Sequence, residues 1–237
     1  MKLGFEYGSR YINFNLIYRN RKTMSIEVEP SGEINVISPT GYDTDVILER
    51  VKSKANWIIQ KQYEIAPINN QKIEREAVSG ESYMYLGRNY SLDVVLDESV
   101  KDVEVKLYRG KFVVKTYTKD EEVIKKALEK WYREKTLEKV KERVRYYQGY
   151  FKDKVSDIKV KEQKKRWASC TARNILLFNW RCIMAKSSVI DYIVVHELCH
   201  MEYKDHSKLF WDRLSSIMPD YQERKQWLKE NGIKLDL

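Results

Sequence analysis

The stretch that organises this chain runs from Val194 to Trp211 and reads V-V-H-E-L-C-H-M-E-Y-K-D-H-S-K-L-F-W. It holds all three histidines of the sequence, which are His196, His200 and His206. His196 and His200 are four residues apart, so on an α-helix they lie on one face a single turn apart and can share a metal ion. The H-E-x-x-H pattern therefore predicts a metal site carried by a helix.

The type of ligand indicates what kind of metal site this is. Three imidazoles leave the fourth position of a tetrahedral Zn²⁺ ion open for water, whereas a structural zinc site is usually closed by four protein ligands. Glu197 follows His196 directly and is the natural general base for that water. We therefore predict one catalytic Zn²⁺ ion with His196, His200 and His206 as metal ligands and Glu197 as the catalytic residue. Other divalent metals are alternatives, because imidazole accepts several of them.

The third histidine requires the chain to reverse. A continuous helix would place His206 about 15 Å along the axis from His196, whereas zinc–nitrogen bonds are about 2.0–2.1 Å long. The chain must turn back between Met201 and Asp205 if His206 is a ligand. The spacing of the histidines matches the metzincin pattern H-E-x-x-H-x-x-G-x-x-H, but Tyr203 stands where that pattern has its glycine.

The predicted metal helix looks buried. Ser188 to Asp191 reads as an N-cap followed three residues later by an acid, which is a variant of the capping box. Apolar residues surround the histidine face, as in a helix packed inside a protein. A chance H-E-x-x-H match on a solvent-facing helix is the alternative. Buried imidazoles without partners cost free energy that a metal removes, so burial favours the metal site.

The composition indicates a protein with an ordinary packed core. The 237 residues are 43% hydrophobic and 33% charged. No stretch approaches the roughly 18 apolar residues of a membrane span, and the N-terminal residues lack the apolar run of a signal peptide. Three cysteines, Cys170, Cys182 and Cys199, fit free thiols in a reducing compartment. We expect a cytoplasmic protein with no membrane span, in which Cys199 is a small buried apolar residue rather than a ligand.

The charge of +9 would attract polyanions, but much of it is interleaved with acids. Only residues 159–166 resemble a local basic patch. Nucleic acid therefore stays open as a partner on charge alone.

The pattern of elements predicts an α+β fold. We expect a mostly β N-terminal region over residues 1–118 that acts as a scaffold, and a helix-rich catalytic core over residues 119–237. In the N-terminal region we predict a hairpin at 24–37, one amphipathic helix at 45–64 that stops before Pro67, and β segments at 82–86, 90–96 and 103–117. The C-terminal region begins with a long helix at 119–147, which has a bend or a change of packing partner near Glu134. It continues with strands at 155–160 and 174–180, the metal helix, and helices at 209–217 and 221–230.

The motifs of the C-terminal half resemble a known family. In order and spacing they resemble the YgjP-like (DUF45) metal-dependent hydrolases, which are related to the SprT-like and WLM zinc peptidases. The motifs are R-W-A-S-C at 166–170, I-L-L-F-N-W at 175–180, H-E-L-C-H at 196–200, H-S at 206–207 and F-W at 210–211. Ala168 departs from the pattern, because the family usually has glycine there. The resemblance covers nearly the whole chain and implies a zincin-like fold with a minigluzincin core and three histidine ligands matching His196, His200 and His206.

The leading hypothesis is a zinc metallopeptidase that cleaves protein or peptide substrates. Metal-activated water attacks the peptide bond, and Glu197 passes the proton of that water to the leaving amine. By the resemblance, strand 175–180 is either a sheet edge that pairs with an extended peptide or a core strand with no substrate contact. Arg166 either stabilises developing negative charge or a substrate carboxylate, or is a structural ion-pair partner, and it is left out of the catalytic set. Glu223 is the first alternative if His206 is not the third ligand.

Two other functions stay open. The same site could hydrolyse a nucleotide phosphoanhydride, with Lys164, Lys165 and Arg166 binding phosphates. The chain could also be a DNA-associated module or protease of the SprT-like type, as the basic charge suggests. The sequence predicts no oligomeric state.

Overall fold

The computed structural model describes residues 1–29, 31–69, 75–163 and 165–237, with backbone alone for 64–69. The chain forms two compact units, Met1–Lys72 and Ile73–Leu237. β-Sheets dominate the N-terminal half and helices the C-terminal half, which confirms the predicted α+β class. No helix within the described residues is both long and apolar enough to cross a membrane.

The first unit packs two helices against a mixed four-stranded sheet of order β1-β2-β4-β3. Its elements are β1 (Lys2–Tyr7), β2 (Arg10–Arg19), β3 (Ser25–Val28), β4 (Ile34–Pro39), α1 (Thr44–Lys52) and α2 (Ala55–Asn69). Alternate residues of β2 enter the core, so that Phe14 and Leu16 are buried with Val36 of β4 and Ile47 of α1. β3 and β4 form the predicted antiparallel hairpin.

The prediction of one helix over residues 45–64 that stops before Pro67 is wrong. α1 and α2 are separate helices, and α2 continues to Asn69. Lys54 donates its N–H to the Val51 carbonyl at 3.0 Å, and the Ser53 hydroxyl donates to the Arg50 carbonyl at 2.8 Å. Both bonds span three residues, which tightens the chain out of the α-helical repeat and ends α1.

The second unit begins with another four-stranded sheet, of order β5-β6-β8-β7. Its strands are β5 (Ser82–Tyr85), β6 (Arg88–Leu96), β7 (Glu104–Tyr108) and β8 (Lys111–Thr116), and α3 (Glu121–Tyr147) follows. The ring of Phe112 on β8 contacts Trp131 and Tyr132 of α3, with centroids 5.0 and 5.7 Å apart. The predicted boundary near residue 118 therefore falls inside the second unit, where sheet and helix share one core.

α3 changes its packing partner along its length. Its first half packs on the sheet through Trp131 and Tyr132. In its second half the Thr136 hydroxyl donates to the Trp180 carbonyl at 2.6 Å, and Arg143 pairs with Asp191. The change of partner predicted near Glu134 is thus confirmed, and α3 ties the β-sheet to the C-terminal helices.

The last part of the second unit carries the candidate site. It contains β9 (Asp157–Lys161), β10 (Ala168–Cys170), β11 (Ile175–Asn179), a 3₁₀ helix (Trp180–Met184), α4 (Ser187–Glu202), α5 (Lys208–Ile217) and α6 (Tyr221–Asn231). The three strands form a sheet of order β10-β11-β9, and its outer strand β10 packs against α4.

The turn between β5 and β6 anchors the start of α4. The N–H groups of Leu86 and Gly87 donate to the carbonyls of Ile183 and Met184 at 2.8 and 3.0 Å. Gly87 has a φ of +78°, and a Cβ placed there would lie 2.5 Å from the side chain of Lys186, directly before α4. Only glycine meets both requirements, because it accepts positive φ and has no Cβ.

Candidate metal centre

α4 is a buried helix, as its sequence predicts. Val194, Val195, Leu198 and Cys199 are all fully buried. Its N-cap is Lys186 and has no side-chain cap bond, so the predicted capping box from Ser188 is wrong. Asp191 instead accepts from Arg143 Nη2 at 3.1 Å and from the Tyr147 hydroxyl at 3.2 Å. The Asp191 carboxylate thus binds two residues of α3 rather than capping α4, and these hydrogen bonds fix α4 in place.

The reversal required by His206 takes place at Tyr203. α4 ends at Glu202, and Tyr203 is extended, with φ −126° and ψ 109°. No positive φ is involved, so the glycine of the metzincin pattern is not needed here. The chain then returns over Asp205 to place His206 opposite the helix.

The structure brings the three imidazoles together. One nitrogen from each of His196, His200 and His206 lies within 4.8 Å of the others, and the Nε2 atoms of His196 and His206 are 3.1 Å apart. Two nitrogens bound tetrahedrally to one Zn²⁺ ion lie about 3.3 Å apart at zinc–nitrogen bonds of about 2.0–2.1 Å. The three nitrogens are therefore close enough together to serve as ligands of one divalent ion.

A hydrogen bond sets the tautomer of His200. Its Nδ1 lies 3.0 Å from the carbonyl oxygen of Tyr203. A carbonyl only accepts, so Nδ1 carries the proton and Nε2 keeps its lone pair. The same backbone reversal that returns His206 thus leaves Nε2 of His200 without a proton, which is the form of the nitrogen that binds metals.

One aromatic side chain supports all three imidazoles. The ring centroid of Phe210 lies 4.9 Å from that of His196, 4.6 Å from that of His200 and 4.9 Å from that of His206. Trp211 stacks on His206 at 5.5 Å with an interplanar angle of 24°. Sequence reasoning gave these two aromatics no role, although the spacing of four between His206 and Phe210 was a signal for contact.

Glu197 is a buried acid beside a cavity. It is 5% exposed, and the cavity of about 160 Å³ is lined by Trp167, Ala168, Tyr192 and His196 among others. Burial raises the pKa of Glu197 to about 8, against the opposing effects of the Arg166 charge and a hydrogen bond from the Cys170 backbone. The Arg166 charge therefore acts on Glu197, while the two roles considered for Arg166 from the sequence stay predictions.

His196 is held neutral by its surroundings. Burial lowers the pKa of its imidazole to about 3, assisted by the charges of His200, His206 and Lys225. Neutral imidazole is the form that binds metals. Across the described residues, the two buried side-chain polar atoms without a hydrogen-bond partner are His196 Nδ1 and Glu197 Oε2.

The strand predicted to pair with a peptide is not at a sheet edge. β11 lies between β9 and β10, so the core-strand interpretation of residues 175–180 applies. Phe178 and Leu176 of β11 are fully buried. The outer strand next to α4 is β10, which the sequence analysis had treated as a motif and not as a strand.

The other residues considered from sequence lie apart from the imidazoles. Glu223 is in the first turn of α6, and the described metal-ligating cluster consists of the three histidines. In the basic patch, Lys164 lies outside the described residues, and Lys159 pairs with Asp157 at 3.3 Å. Glu162 accepts from Trp180 Nε1 at 2.9 Å and from Arg181 at 2.7 Å.

Comparison with known proteins adds one finding. A family model described as YgjP-like, metallopeptidase domain matches residues 22–231, most of the chain. No curated protein matches the chain in the same comparison. The match covers R-W-A-S-C, H-E-L-C-H and the F-W pair, so the resemblance predicted from these motifs is confirmed.

Proposed function

The chain belongs to the YgjP-like metallopeptidase family of metal-dependent hydrolases, and from this premise we propose that it is a zinc metallopeptidase acting on proteins or peptides. His196, His200 and His206 hold the ion, and Glu197 is the general base. The family implies a divalent metal, and three nitrogens with an open fourth position suit catalytic zinc.

One observation carries the proposal. The two partnerless buried polar atoms, His196 Nδ1 and Glu197 Oε2, belong to adjacent residues of the H-E-x-x-H motif. An unpaired buried polar group costs about 1–3 kcal/mol. Two such costs side by side, next to three converging imidazoles and a cavity, are expected where polar groups serve a reaction rather than the stability of the fold.

Each residue of the site has a distinct part in the mechanism. Zinc, when bound, polarises the scissile carbonyl and lowers the pKa of water to about 7. Glu197 accepts the proton of the attacking water through its unpaired Oε2 and returns it to the leaving amine. The backbone N–H of Cys170 binds the carboxylate and holds it in position. Phe210 keeps the three imidazoles at fixed angles to one another.

The strand β10 offers a place for the substrate backbone. Ser169 pairs with Leu177 of β11, and the flanking bonds join Trp167 to Asn179 and Thr171 to Ile175. Antiparallel pairing alternates along a strand, so the amide groups of Ala168 and Cys170 point away from β11 towards α4. An extended peptide paired to Ala168 would pass the cavity that Glu197 faces.

The experiment is a side-by-side assay of zinc-loaded protein. Unfolded casein and a nucleoside triphosphate are offered as substrates, with elemental analysis of the purified protein. We expect peptide-bond cleavage that is lost with a chelator and restored by Zn²⁺. Hydrolysis of the triphosphate without cleavage of protein would replace the peptidase with the phosphoanhydride hydrolase, and the absence of both reactions would overturn the proposal.

A further inference from the structure

A second concave surface lies beside the candidate metal centre. This groove, of about 500 Å³, is formed by α5 and α6 and lined by Trp211, Tyr221, Gln222, Lys225, Gln226 and Lys229. Of the five lining residues from α6, Gln222, Lys225, Gln226 and Lys229 are spaced at i, i+3, i+4 and i+7 and so form one face of the helix. That face carries two lysines, two glutamines and no acid, so the lining is cationic.

One side chain, Trp211, lies between the groove and the candidate metal centre. Trp211 stacks on His206 at 5.5 Å and 24° on one hand and on Tyr221 at 5.5 Å and 20° on the other. A substrate that extends past His206 along this stack enters the groove after one ring.

Lys225 provides the ammonium group that can bind an anion in the groove. Its Nζ lies 4.4 Å from the centre of the Trp211 ring, which restrains the ammonium by a cation–π contact. Within the described part of the chain, no carboxylate pairs with it. Two acids at the ends of α6 are engaged elsewhere, since Asp220 pairs with Arg224 at 2.9 Å and Glu230 accepts from Gln226 at 2.7 Å.

The lining favours a carboxylate over a nucleic acid. Single-stranded nucleic acid binds by stacking its bases on aromatic faces, but Trp211 already stacks on His206 and Tyr221. What the groove offers is a restrained ammonium with amide groups beside it, which suits a small anion. A peptide substrate supplies that anion as an aspartate or glutamate side chain or as its C-terminal carboxylate.

We propose that this groove is a specificity subsite for a carboxylate of the peptide substrate, with Lys225 as the residue that binds it. The proposal rests on the proposed peptidase function, and it makes the enzyme selective for acidic peptides or for chain ends. The magnitude follows from the interaction: a charge-assisted hydrogen bond contributes enough for about a tenfold preference over the neutral amide.

The test uses the full-length zinc-loaded protein and a peptide library of defined sequences, with cleavage sites read by mass spectrometry. Matched peptides carry Glu, Gln or Lys at each position near the scissile bond, and each is made with a free or an amidated C-terminus. We expect the wild type to favour acid at one fixed position, or a free C-terminus, by about tenfold in kcat/KM. Lys225→Gln should abolish the preference, Lys225→Arg should keep it, and Lys225→Glu should reverse it towards basic residues.

A matched control and a binding assay separate the possible failures. Lys111→Gln, at an exposed position of β8, removes the same charge elsewhere and should leave the preference intact. Binding of fluorescent Glu and Gln peptides to the same proteins is measured by anisotropy. If the wild type cleaves no peptide but binds the Glu peptide through Lys225, the peptidase proposal fails and the carboxylate site stands. Equal cleavage and equal binding of the acidic and amide peptides would overturn the subsite. The subsite is also overturned if single-stranded DNA displaces the bound fluorescent peptide but the unlabelled Glu peptide does not.

Discussion

The two units of this protein differ in whether all their described buried polar side-chain atoms have hydrogen-bond partners. The core of the first unit is apolar, with Phe14, Leu16, Val36 and Ile47 among its members, and its buried Ser38 donates to a backbone carbonyl. The second unit buries Thr136 and Asn179 with hydrogen-bond partners, but it leaves His196 Nδ1 and Glu197 Oε2 without any. Both exceptions fall in one motif of one helix.

This difference distinguishes the unit that contributes only stability from the unit that carries the candidate site. A buried polar atom without a partner costs about 1–3 kcal/mol, and the described part of the first unit has no such atom. In the second unit that cost falls on the two residues that face the cavity. The comparison therefore predicts that substitutions in the first unit act on stability alone, whereas those near α4 separate stability from activity.

The largest effect is expected from Glu197→Gln. The amide fills the same space but cannot accept the proton of the attacking water, so kcat should fall about 10²- to 10⁴-fold. Zinc content, measured by elemental analysis, should stay at the wild-type level. Glu202→Gln is the matched control, because it changes an acid of the same helix that pairs with Arg213. Near-normal turnover by Glu197→Gln would remove this residue from the mechanism.

The next effect is expected from the metal itself. Zinc at about 1,000 times its dissociation constant should stabilise the state that binds it by about 4 kcal/mol. Native-state hydrogen exchange should show added protection in α4 and α5 and none in β1 to β4. His206→Ala should remove most of this protection. Equal protection in both units would contradict the separation drawn between them.

Gly87→Ala tests how the start of α4 is held. The substitution meets a φ of +78° and a Cβ contact of 2.5 Å with Lys186, whereas Gly110 has the same φ of +78° with open space around it. Gly110→Ala should cost about 1 kcal/mol for backbone strain, and Gly87→Ala about 1–3 kcal/mol more for the collision. Urea denaturation measures both. Equal losses of unfolding free energy in the two variants would mean that the turn at Gly87 is not in tight contact with the start of α4.

The smallest effect is expected from a pair of matched core substitutions. Phe210→Leu and Phe14→Leu each remove a buried ring and should cost about 1–2 kcal/mol in the unit concerned. Only Phe210→Leu should weaken zinc affinity, by about tenfold, because its ring fixes the imidazoles. Competition with a fluorescent zinc chelator measures the affinity. A loss of affinity in both variants would mean that Phe210 acts through general stability.

Much of the second unit could be predicted from its sequence, because strong local signals agree with the packing. The glycine turns at 87 and 110 marked the hairpins, and the apolar periodicity marked α3 and α4. The reversal after Met201 followed from ligand geometry alone. The helices between residues 44 and 69 could not be separated in advance, since the break is made by bonds of Ser53 and Lys54 that leave no trace in the hydrophobic pattern.

Other features depended on contacts that are distant in sequence. The capping role predicted for Asp191 gave way to Arg143, which lies on another helix. The order of the site sheet placed β10 rather than β11 next to α4, and strand order is not encoded in any single strand. Phe210 lies against three imidazoles, and its spacing of four from His206 indicates only one of these contacts. The role of each histidine remains a prediction that the experiments above test.

The extended backbone of Tyr203 has a consequence for how such proteins are recognised. A left-handed turn would restrict this position to glycine, but an extended one admits nearly every amino acid. The backbone at position 203 thus does not require glycine, while its carbonyl still contacts His200. A search that demands glycine there would miss relatives with the same geometry, whereas one that asks only for the spacing of the histidines would find them.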